Sequence, residues 1–260
     1  MTLSCTICLN FKVIVHRDVS DVKRKKEEFS EMNQKPYIVC HMMTSVDGRI
    51  DCAMTEHLPG VSEYYDTLDE LDAPTRVSGR TTAKLEMADP GQFSGDDYRP
   101  LGKEAFSRAV QADGYEVIAD SHGTLLWDNY RGNRPLLILL SESVSLSYIA
   151  YLDHLRISWI AAGKDRIDLV RATEILGKEF SVRRMAVVGG GHINAGFLDA
   201  GLLDEVSILI GAGIDGRGGM AAVFDGLPAD TPVTPLHLSE VKTYDSGAVW
   251  LRYSVVPEYK

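Results

Sequence analysis

Three consecutive glycines at residues 189–191 stand between a short apolar run, residues 185–188, and a helical pattern, residues 193–200. A second apolar run at residues 206–210 follows, so the order strand, glycine turn, helix, strand indicates a parallel α/β sheet. Glycines let a ligand lie against bare backbone amides, and the N-terminus of the next helix favours an anion. The stretch therefore predicts a site for a phosphate-bearing cofactor.

A second candidate anion site lies at residues 79–82, Gly-Arg-Thr-Thr, between a predicted strand at residues 73–78 and a predicted helix at residues 83–88. A guanidinium, two hydroxyls and free amides at a helix N-terminus suit an anion. Either threonine alone is more often an N-cap. Because both glycine turns follow strands, we favour anion binding at both.

A third polar group, Thr44, Ser45 and Asp47, follows an apolar run at residues 37–43 that is typical of a buried strand. Asp47 and Gly48 together are a turn signal, and a plain turn is the competing interpretation. In open parallel sheets, however, sites form outside the carboxyl ends of strands. We therefore predict that this group faces the same site as the two glycine turns.

The remaining pattern predicts an α/β fold with a mixed sheet, parallel in its centre, with helices on both faces. Further strands are predicted at residues 115–120, 135–140 and 157–161. Helices are predicted at residues 61–71, 103–111, 147–155 and 165–180, and a surface loop at residues 89–102. An antiparallel C-terminal hairpin is predicted at residues 236–243 and 249–256, where Val249, Leu251, Tyr253 and Val255 alternate.

Composition excludes several classes of protein. The 260 residues are 45% hydrophobic and 25% charged, which is ordinary for a globular protein, and the net charge of −10 argues against a nucleic-acid-binding surface. No run is long and apolar enough for a membrane span, and no secretory signal is evident, so a cytoplasmic location is expected. The spacing of Cys5 and Cys8 is that of a zinc half-site without a second half, so no metal is expected.

Two segments stand apart from this pattern. Residues 1–35 carry a run of charges and are predicted to be a poorly ordered N-terminal extension, with residues 36–260 as a single domain. The glycine-rich stretch at residues 211–219 is predicted to be a mobile loop. Arg217 within it can reach an anion or face solvent, and we favour solvent.

The motifs in this order resemble the dihydrofolate-reductase-like superfamily, and more narrowly the stand-alone form of the reductase domain of the riboflavin-biosynthesis deaminase/reductase. The resemblance covers about residues 36–256. The motifs that carry it are Thr44-Ser-Val-Asp-Gly-Arg, Ser78-Gly-Arg-Thr-Thr, Val187-Val-Gly-Gly-Gly-His-Ile-Asn-Ala-Gly-Phe-Leu and Gly201-Leu-Leu-Asp-Glu-Val, together with the closing hairpin.

The resemblance implies an NADPH-dependent reductase that converts the ribose of a (phospho)ribosylamino-pyrimidine to ribityl, and it suggests a homodimer. Thr44, Ser45 and Asp47 would face the substrate, with Asp47 as anchor and proton relay. Ser141 would lie near the adenosine 2′-phosphate. The residues assigned to the cofactor are Gly79, Arg80, Thr81, Thr82, Ser141, Gly189, Gly190, Gly191, His192 and Ile193.

Two departures from the family bear on the substrate. The family commonly has Glu immediately before the glycine triplet, where this chain has Val188, and an Ala-Pro-Lys-like segment after the next strand, where this chain has Gly211-Ala-Gly213. A same-fold NADPH reductase of a pterin, a folate or another small carbonyl or imine therefore stays open. So does a non-catalytic protein that binds a dinucleotide as a sensor, and so does an α/β domain whose glycine loop only turns the chain. The motifs of a zinc deaminase are absent from the sequence, so another chain is expected to supply deamination.

Overall fold

The computed structural model describes residues 35–256, which belong to one compact unit spanning Lys35–Lys260. Its ten strands, in chain order, are β1 (Tyr37–Thr44), β2 (Thr75–Gly79), β3 (Ala105–Ser107), β4 (Glu116–Ala119), β5 (Leu136–Leu140), β6 (Ser158–Ala161), β7 (Arg184–Gly189), β8 (Glu205–Ile210), β9 (Leu236–Thr243) and β10 (Val249–Val255). Its helices are α1 (Cys52–Thr55), α2 (Val61–Glu70), α3 (Arg80–Glu86), α4 (Leu146–His154), α5 (Leu169–Glu179) and α6 (Gly191–Asp199).

All ten strands form one sheet in the order β3-β6-β5-β4-β2-β7-β1-β8-β10-β9. The strands from β6 to β8 in that order pair in parallel, whereas β3 and the β9–β10 hairpin pair antiparallel. The predicted mixed sheet with an antiparallel C-terminal hairpin is confirmed. Because β2, β7 and β1 are parallel neighbours, the loops after them meet at one edge of the sheet.

Helices cover both faces of the sheet, as predicted, and this explains the continuous apolar strands. On one face, Leu137 and Leu139 of β5 join a cluster that includes Leu176 of α5. On the other face, Ile138 of the same strand packs with Leu152 of α4. A parallel strand buried on both sides needs apolar residues at every position, and all five residues of β5 are buried.

The helix predicted at residues 103–111 is wrong. The chain there contains β3, which pairs antiparallel with β6 at the edge of the sheet. The ring of Phe106 lies 6.1 Å from the ring of Phe180 at the end of α5. Edge pairing and this aromatic contact override a weak helical propensity, as tertiary context commonly does.

The C-terminal hairpin buries a different side chain from those predicted by the alternation of apolar residues. Trp250, which lies between the alternating apolar residues, is fully buried, and its Nε1 donates a hydrogen bond to Ser207 Oγ at 2.7 Å. Val249, Leu251 and Tyr253 are half-buried. Both faces of β10 carry apolar contacts, because Tyr253 packs on the opposite side from Trp250. The sequence pattern identified one of these faces.

His41 of β1 lies inside the core beneath α2. Its Nδ1 is 2.9 Å from Ser207 Oγ, and its ring stacks on the ring of Tyr64 at a centroid distance of 4.9 Å. Burial lowers the pKa of His41 to about 4, and the backbone carbonyl of Tyr64 opposes this shift. The imidazole is therefore neutral in the folded protein at pH 7.

We expect the folded protein to lose stability as pH falls from about 6.5 to about 4 because of His41. In the unfolded chain His41 takes up a proton near pH 6.5, whereas in the fold it resists protonation down to about pH 4. The difference corresponds to about 3 kcal/mol of unfolding free energy. Urea denaturation of the wild-type protein and a His41→Gln variant between pH 7.5 and 5 measures it. Equal slopes in the two proteins would contradict this assignment.

Four expectations from the sequence are not decided for the whole chain by the described residues. No helix within residues 35–256 is long and apolar enough to span a membrane, and in that range no group of His, Cys, Asp and Glu side chains could hold a metal ion. Cys5 and Cys8 lie outside the described residues. So does the predicted N-terminal extension apart from Lys35, and it stays a prediction, as does the cytoplasmic location.

Candidate functional site

The three predicted motifs lie side by side at the carboxyl edge of the sheet. β7, which ends in Gly189, pairs with β2 on one side and β1 on the other. Gly79 ends β2 and Thr44 ends β1. The connections that follow these strands therefore form one continuous rim, which is where ligands bind in parallel α/β sheets.

The glycine turn after β7 packs directly against α3. A Cβ atom added to Gly189 would lie 3.0 Å from Thr82 Cγ2 and 3.1 Å from Thr82 Oγ1. Gly190 has a φ of 82° and a ψ of 130°, a conformation that L-residues rarely adopt. Glycine is therefore required at this turn both for close approach and for backbone shape.

A cavity of about 640 Å³ opens beside this turn on the face of the sheet covered by α2 and α3. Its rim is formed by Thr81 and Thr82 of α3 and by Gly189 and Gly190. Residues from α2, from the sheet and from the segment after residue 218 complete the wall, and they include Tyr64, Tyr65, Leu68, Arg76, Ser78, Glu116, Val188, Gly219, Met220 and Ala221. Carbon atoms and polar atoms both line the cavity, as expected for a small-molecule site.

Five other predicted cofactor residues, Gly79, Arg80, Gly191, His192 and Ile193, are not among those that line the cavity. A Cβ atom on Gly79 would touch Ile193 Cγ2 at 3.4 Å, so these two residues pack the two turns together. A Cβ atom on Gly191 would lie 2.5 Å from the carbonyl oxygen of Ala222. His192 packs beside Gly226, and Arg80 is exposed at the start of α3. α6 begins at Gly191, two residues before the predicted start, so Gly191 and His192 belong to the helix.

Asp47 lies outside the cavity and holds a neighbouring loop. Its carboxylate accepts hydrogen bonds from Ser45 Oγ at 2.7 Å, from the amide of Asp215 at 2.9 Å and from the amide of Gly216 at 3.0 Å. These donors hold the pKa of Asp47 well below its usual range. A carboxylate in that state does not carry a proton near neutral pH, and the contacts that it makes here anchor a loop. Its predicted role as an anchor for the substrate stays a prediction. Thr44 and Ser45 are themselves buried.

The loop held by Asp47 is the glycine-rich segment at residues 211–219. Arg217 forms ion pairs with Asp215 at 2.5 Å and with Asp51 at 2.6 Å. Its side chain was predicted to face solvent, and it is instead partly engaged by these two carboxylates. Asp51 lies in the wall of the cavity, and Arg49 Nη1 donates to the carbonyl oxygen of Met220, another wall residue, at 2.6 Å. The loop is therefore tied to the segment after β1 and continues into the cavity wall.

Ser141 lies at the carboxyl end of β5, farther along the same edge of the sheet. Its hydroxyl donates to the carbonyl oxygen of Ser121 at 2.8 Å and lies 2.7 Å from Ser143 Oγ. Ser143 Oγ is in turn 3.3 Å from Nδ1 of the exposed His122. Ser141 is fully buried, so the side chains that this cluster presents at the surface are those of Ser143 and His122.

Two charged residues on the floor of the cavity, Arg76 and Glu116, were missed in the sequence. They are directly opposite each other in the parallel pairing of β2 and β4. Burial raises the pKa of Glu116 to about 7, and the positive charges of Arg134 and Arg76 oppose that shift. A charged residue within each of two strands of the sheet was the available signal, because such residues are rarely buried without a purpose.

The fold and the site together define the class of protein. A parallel sheet with an antiparallel C-terminal hairpin and a cavity bounded by glycine turns at its carboxyl edge is the architecture of the dihydrofolate-reductase-like reductases. The chain belongs to the RibD C-terminal domain family, whose profile matches residues 36–250. This match confirms the resemblance and the fold class predicted from the sequence motifs.

Individual relatives agree with that assignment. The chain is 26% identical over 219 residues to a 2,5-diamino-6-ribosylamino-4(3H)-pyrimidinone 5′-phosphate reductase of Methanothermobacter thermautotrophicus, covering 82% of this chain and 94% of the relative. Two solved structures share the fold. A pyrimidine reductase-like protein of Corynebacterium diphtheriae has a TM-score of 0.62 at 15% identity, covering 88% of this chain and 95% of that one. The riboflavin biosynthesis reductase Rib7 of Saccharomyces cerevisiae has a TM-score of 0.58 at 14% identity, covering 91% and 100%.

The family and these relatives support the predicted function as a reductase of riboflavin biosynthesis, and a reductase of this family uses a nicotinamide cofactor. The residues of the rim fit such a group. Side chains at Gly189 and Gly190 would fill the space beside Thr82, so the glycines leave backbone exposed where a pyrophosphate needs amide donors. The nine-residue helix α6 starts at this turn, and no side chain caps it, which leaves its first amides free to bind an anion.

Proposed function

We propose that this chain is an NADPH-dependent reductase that converts the ribose of a (phospho)ribosylamino-pyrimidine to ribityl in riboflavin biosynthesis. The observation that carries the proposal is the contact between Gly189 and Thr82, which joins two glycine turns into one wall of the cavity. The family supplies the reaction type, and the Methanothermobacter relative is named for a substrate of this kind.

The cofactor supplies a hydride, and the chain has to bind the reactants, align them and exclude water from them. In this proposal the amides of Gly189 and Gly190 and the hydroxyls of Thr81 and Thr82 bind the phosphates. Val188 and Leu68 form apolar wall, and Tyr64 fills the space between α2 and the sheet. Asp47 fixes the loop that closes the far wall, and Ser45 orients the Asp47 carboxylate.

We expect the protein to bind NADPH more tightly than NADH. Arg80 is exposed at the start of α3, and Ser143 and His122 are accessible near the end of β5. A charged hydrogen bond to the 2′-phosphate is worth about 1.5–3 kcal/mol, so a preference of about 10- to 100-fold is expected. Titration of both cofactors by thermal shift measures it, since a ligand of the folded state raises stability. Failure of both cofactors to bind would contradict the proposal.

A homodimer is part of the proposal. β9 is at the edge of the sheet, and its Leu236, Leu238 and Val241 are exposed. An exposed edge strand with apolar side chains invites pairing, so natural proteins cover or interrupt it. A second copy of this chain is the partner that we propose for this edge. Sedimentation velocity of the full chain distinguishes the dimer from a monomer.

A second candidate, reduction of a pterin or folate, is favoured by one specific feature. Val188 lines the cavity where the family commonly has Glu, while the carboxyl of Glu116 lies elsewhere in the same cavity. Pterins and pyrimidines share an edge of alternating donors and acceptors that suits such a carboxyl. NADPH oxidation with both kinds of heterocycle separates the two candidates. Binding of NADPH without turnover of any of them would instead favour a sensor.

A further inference from the structure

Arg76 and Glu116 form a charged patch on the floor of the cavity, below its rim. Their Cα atoms are paired in the register between β2 and β4, and side chains at paired positions of neighbouring parallel strands point to the same face. Both residues line the cavity together with Ser78 and Tyr64. The patch is separate from the turns that we assign to the cofactor, which lie at the carboxyl edge of the sheet.

These two side chains do not satisfy each other. Glu116 is only 9% exposed, yet among residues 35–256 no donor makes a hydrogen bond or an ion pair to its carboxyl. The Nε atom of Arg76 is buried without a partner in that part of the chain. Arg76 uses its Nη2 for an ion pair with the exposed Asp69 at 3.2 Å. Buried polar groups in native proteins are nearly always hydrogen-bonded, so the open carboxyl of Glu116 in a cavity, beside the guanidinium of Arg76, points to a ligand.

The chemistry of the pair restricts what that ligand is. A carboxylate accepts hydrogen bonds and a guanidinium donates them, so side by side they match a planar group that presents a donor next to an acceptor. The N–H and C=O of a cyclic amide in a pyrimidinone form such an edge. A phosphate offers acceptors alone and would be repelled by an ionised Glu116. The phosphorylated end of the substrate therefore does not lie on this floor.

We infer that Glu116 and Arg76 bind the heterocyclic base of the substrate, with Glu116 accepting from a ring N–H or amino group and Arg76 donating to the adjacent carbonyl. This inference rests on the proposed function, and it names the residues that select the substrate. Val188 stands where the family commonly has Glu, and Glu116 supplies a carboxyl at a different place in the same cavity. Tyr64 and Leu68 of α2 lie over the same floor and supply apolar contact to a ring.

The inference requires base binding to depend on pH. The groups that act on Glu116 are Arg76 on β2, Arg134 before β5 and Glu86 on α3. With burial raising its pKa to about 7, the carboxyl is mostly protonated at pH 6 and mostly ionised at pH 8. A ligand that donates to the carboxylate favours the ionised form. Affinity is therefore expected to rise from pH 6 to pH 8, by up to about tenfold per pH unit below the pKa.

The test uses the full-length protein, with 5,6-diaminouracil as a probe for the base and calorimetry as the readout. We expect Glu116→Leu and Arg76→Met each to weaken probe binding by about 10- to 100-fold at pH 8. Glu116→Gln keeps one acceptor, so it is expected to lose less affinity for the probe than Glu116→Leu. Because it has no titrating carboxyl, its affinity is also expected to lose the pH dependence. Replacing a buried carboxyl by an apolar group of similar volume is compatible with folding. Glu104→Gln removes an exposed carboxyl that pairs with Arg171 and serves as the matched control.

NADPH affinity, measured on the same variants, separates this inference from the proposed function. We expect all four variants to bind NADPH within about twofold of the wild-type protein, because the cofactor turns are elsewhere in the cavity. Unchanged probe affinity in Glu116→Leu and Arg76→Met overturns the inference and leaves the reductase proposal intact. Absence of NADPH binding by the wild-type protein overturns the reductase proposal, while the probe still decides whether the pair binds a base.

Discussion

A Gly190→Ala variant is expected to fold and to bind NADPH roughly 30-fold more weakly than the wild-type protein, a loss of about 2 kcal/mol. Gly190 has a φ of 82° and a ψ of 130° at the start of α6, and it lines the cavity. A Cβ atom there would meet Thr82 Oγ1 at 3.5 Å and Ile193 Cγ2 at 3.9 Å, so space for it exists. The cost is backbone strain of about 1–3 kcal/mol, which relaxes by moving the amides that hold the pyrophosphate.

A Gly201→Ala variant is the matched control. Gly201 also has a positive φ, of 63°, and nothing lies within 4 Å of an added Cβ atom. It follows α6 at the end opposite the cavity. Alanine there is expected to cost roughly 1–2 kcal/mol of stability and to leave NADPH affinity unchanged. If the two variants lose the same NADPH affinity, the loss reflects general destabilisation and the turn does not hold the cofactor.

An Asp47→Asn variant is expected to lower kcat/KM by about 10- to 100-fold, because hydrogen bonds to a charged group are worth about 1.5–3 kcal/mol. The carboxylate accepts from the amides of Asp215 and Gly216. Asparagine replaces one carboxylate oxygen by an amide nitrogen that cannot accept, so one of these two hydrogen bonds is lost and the glycine-rich loop is held less firmly. That loop runs into Met220 and Ala221 of the cavity wall. Steady-state kinetics of NADPH oxidation measures the loss.

The control for Asp47 is Asp97→Asn. Asp97 is an aspartate of the long loop after α3, and its ion pair with Arg99 lowers its pKa to about 2. Its replacement changes charge in the same way and is expected to leave kcat/KM unchanged. If Asp47→Asn turns over substrate as fast as the wild-type protein, Asp47 does not contribute to the site. A fall in kcat/KM that is confined to pH values near 7 would indicate a proton relay in place of the anchor.

Much of the sheet was predictable because its central strands are buried on both faces. The apolar runs that became β1, β5 and β7 contain few polar residues and end at glycine or hydroxyl residues, which are strong signals of strand and turn. The segment at residues 103–111 has no such pattern, and its strand depends on pairing with β6. An edge strand that forms by pairing with a distant segment leaves little trace in local sequence.

The site was predictable at the level of motifs and less so at the level of side chains. Carboxyl ends of parallel strands share one edge, so the contact of Gly189 with Thr82 follows from the topology. Start positions of helices decide which residues face the ligand, and the early start of α6 places Gly191 against Ala222. The pairing of Arg76 with Glu116 depends on the register of β2 and β4. That register is a product of the whole sheet and is not encoded in either strand alone.

The most direct test of the central claim is NADPH oxidation by the purified protein with a ribosylaminopyrimidinone 5′-phosphate, in both its 2-amino and its deaminated form. Loss of reduced-nicotinamide absorbance and the appearance of the ribityl product report the reaction. We predict one ribityl product per NADPH oxidised with at least one of the two substrates, and a slower reaction or none with a pterin. Binding of NADPH and of both pyrimidines without formation of any ribityl product would contradict the claim.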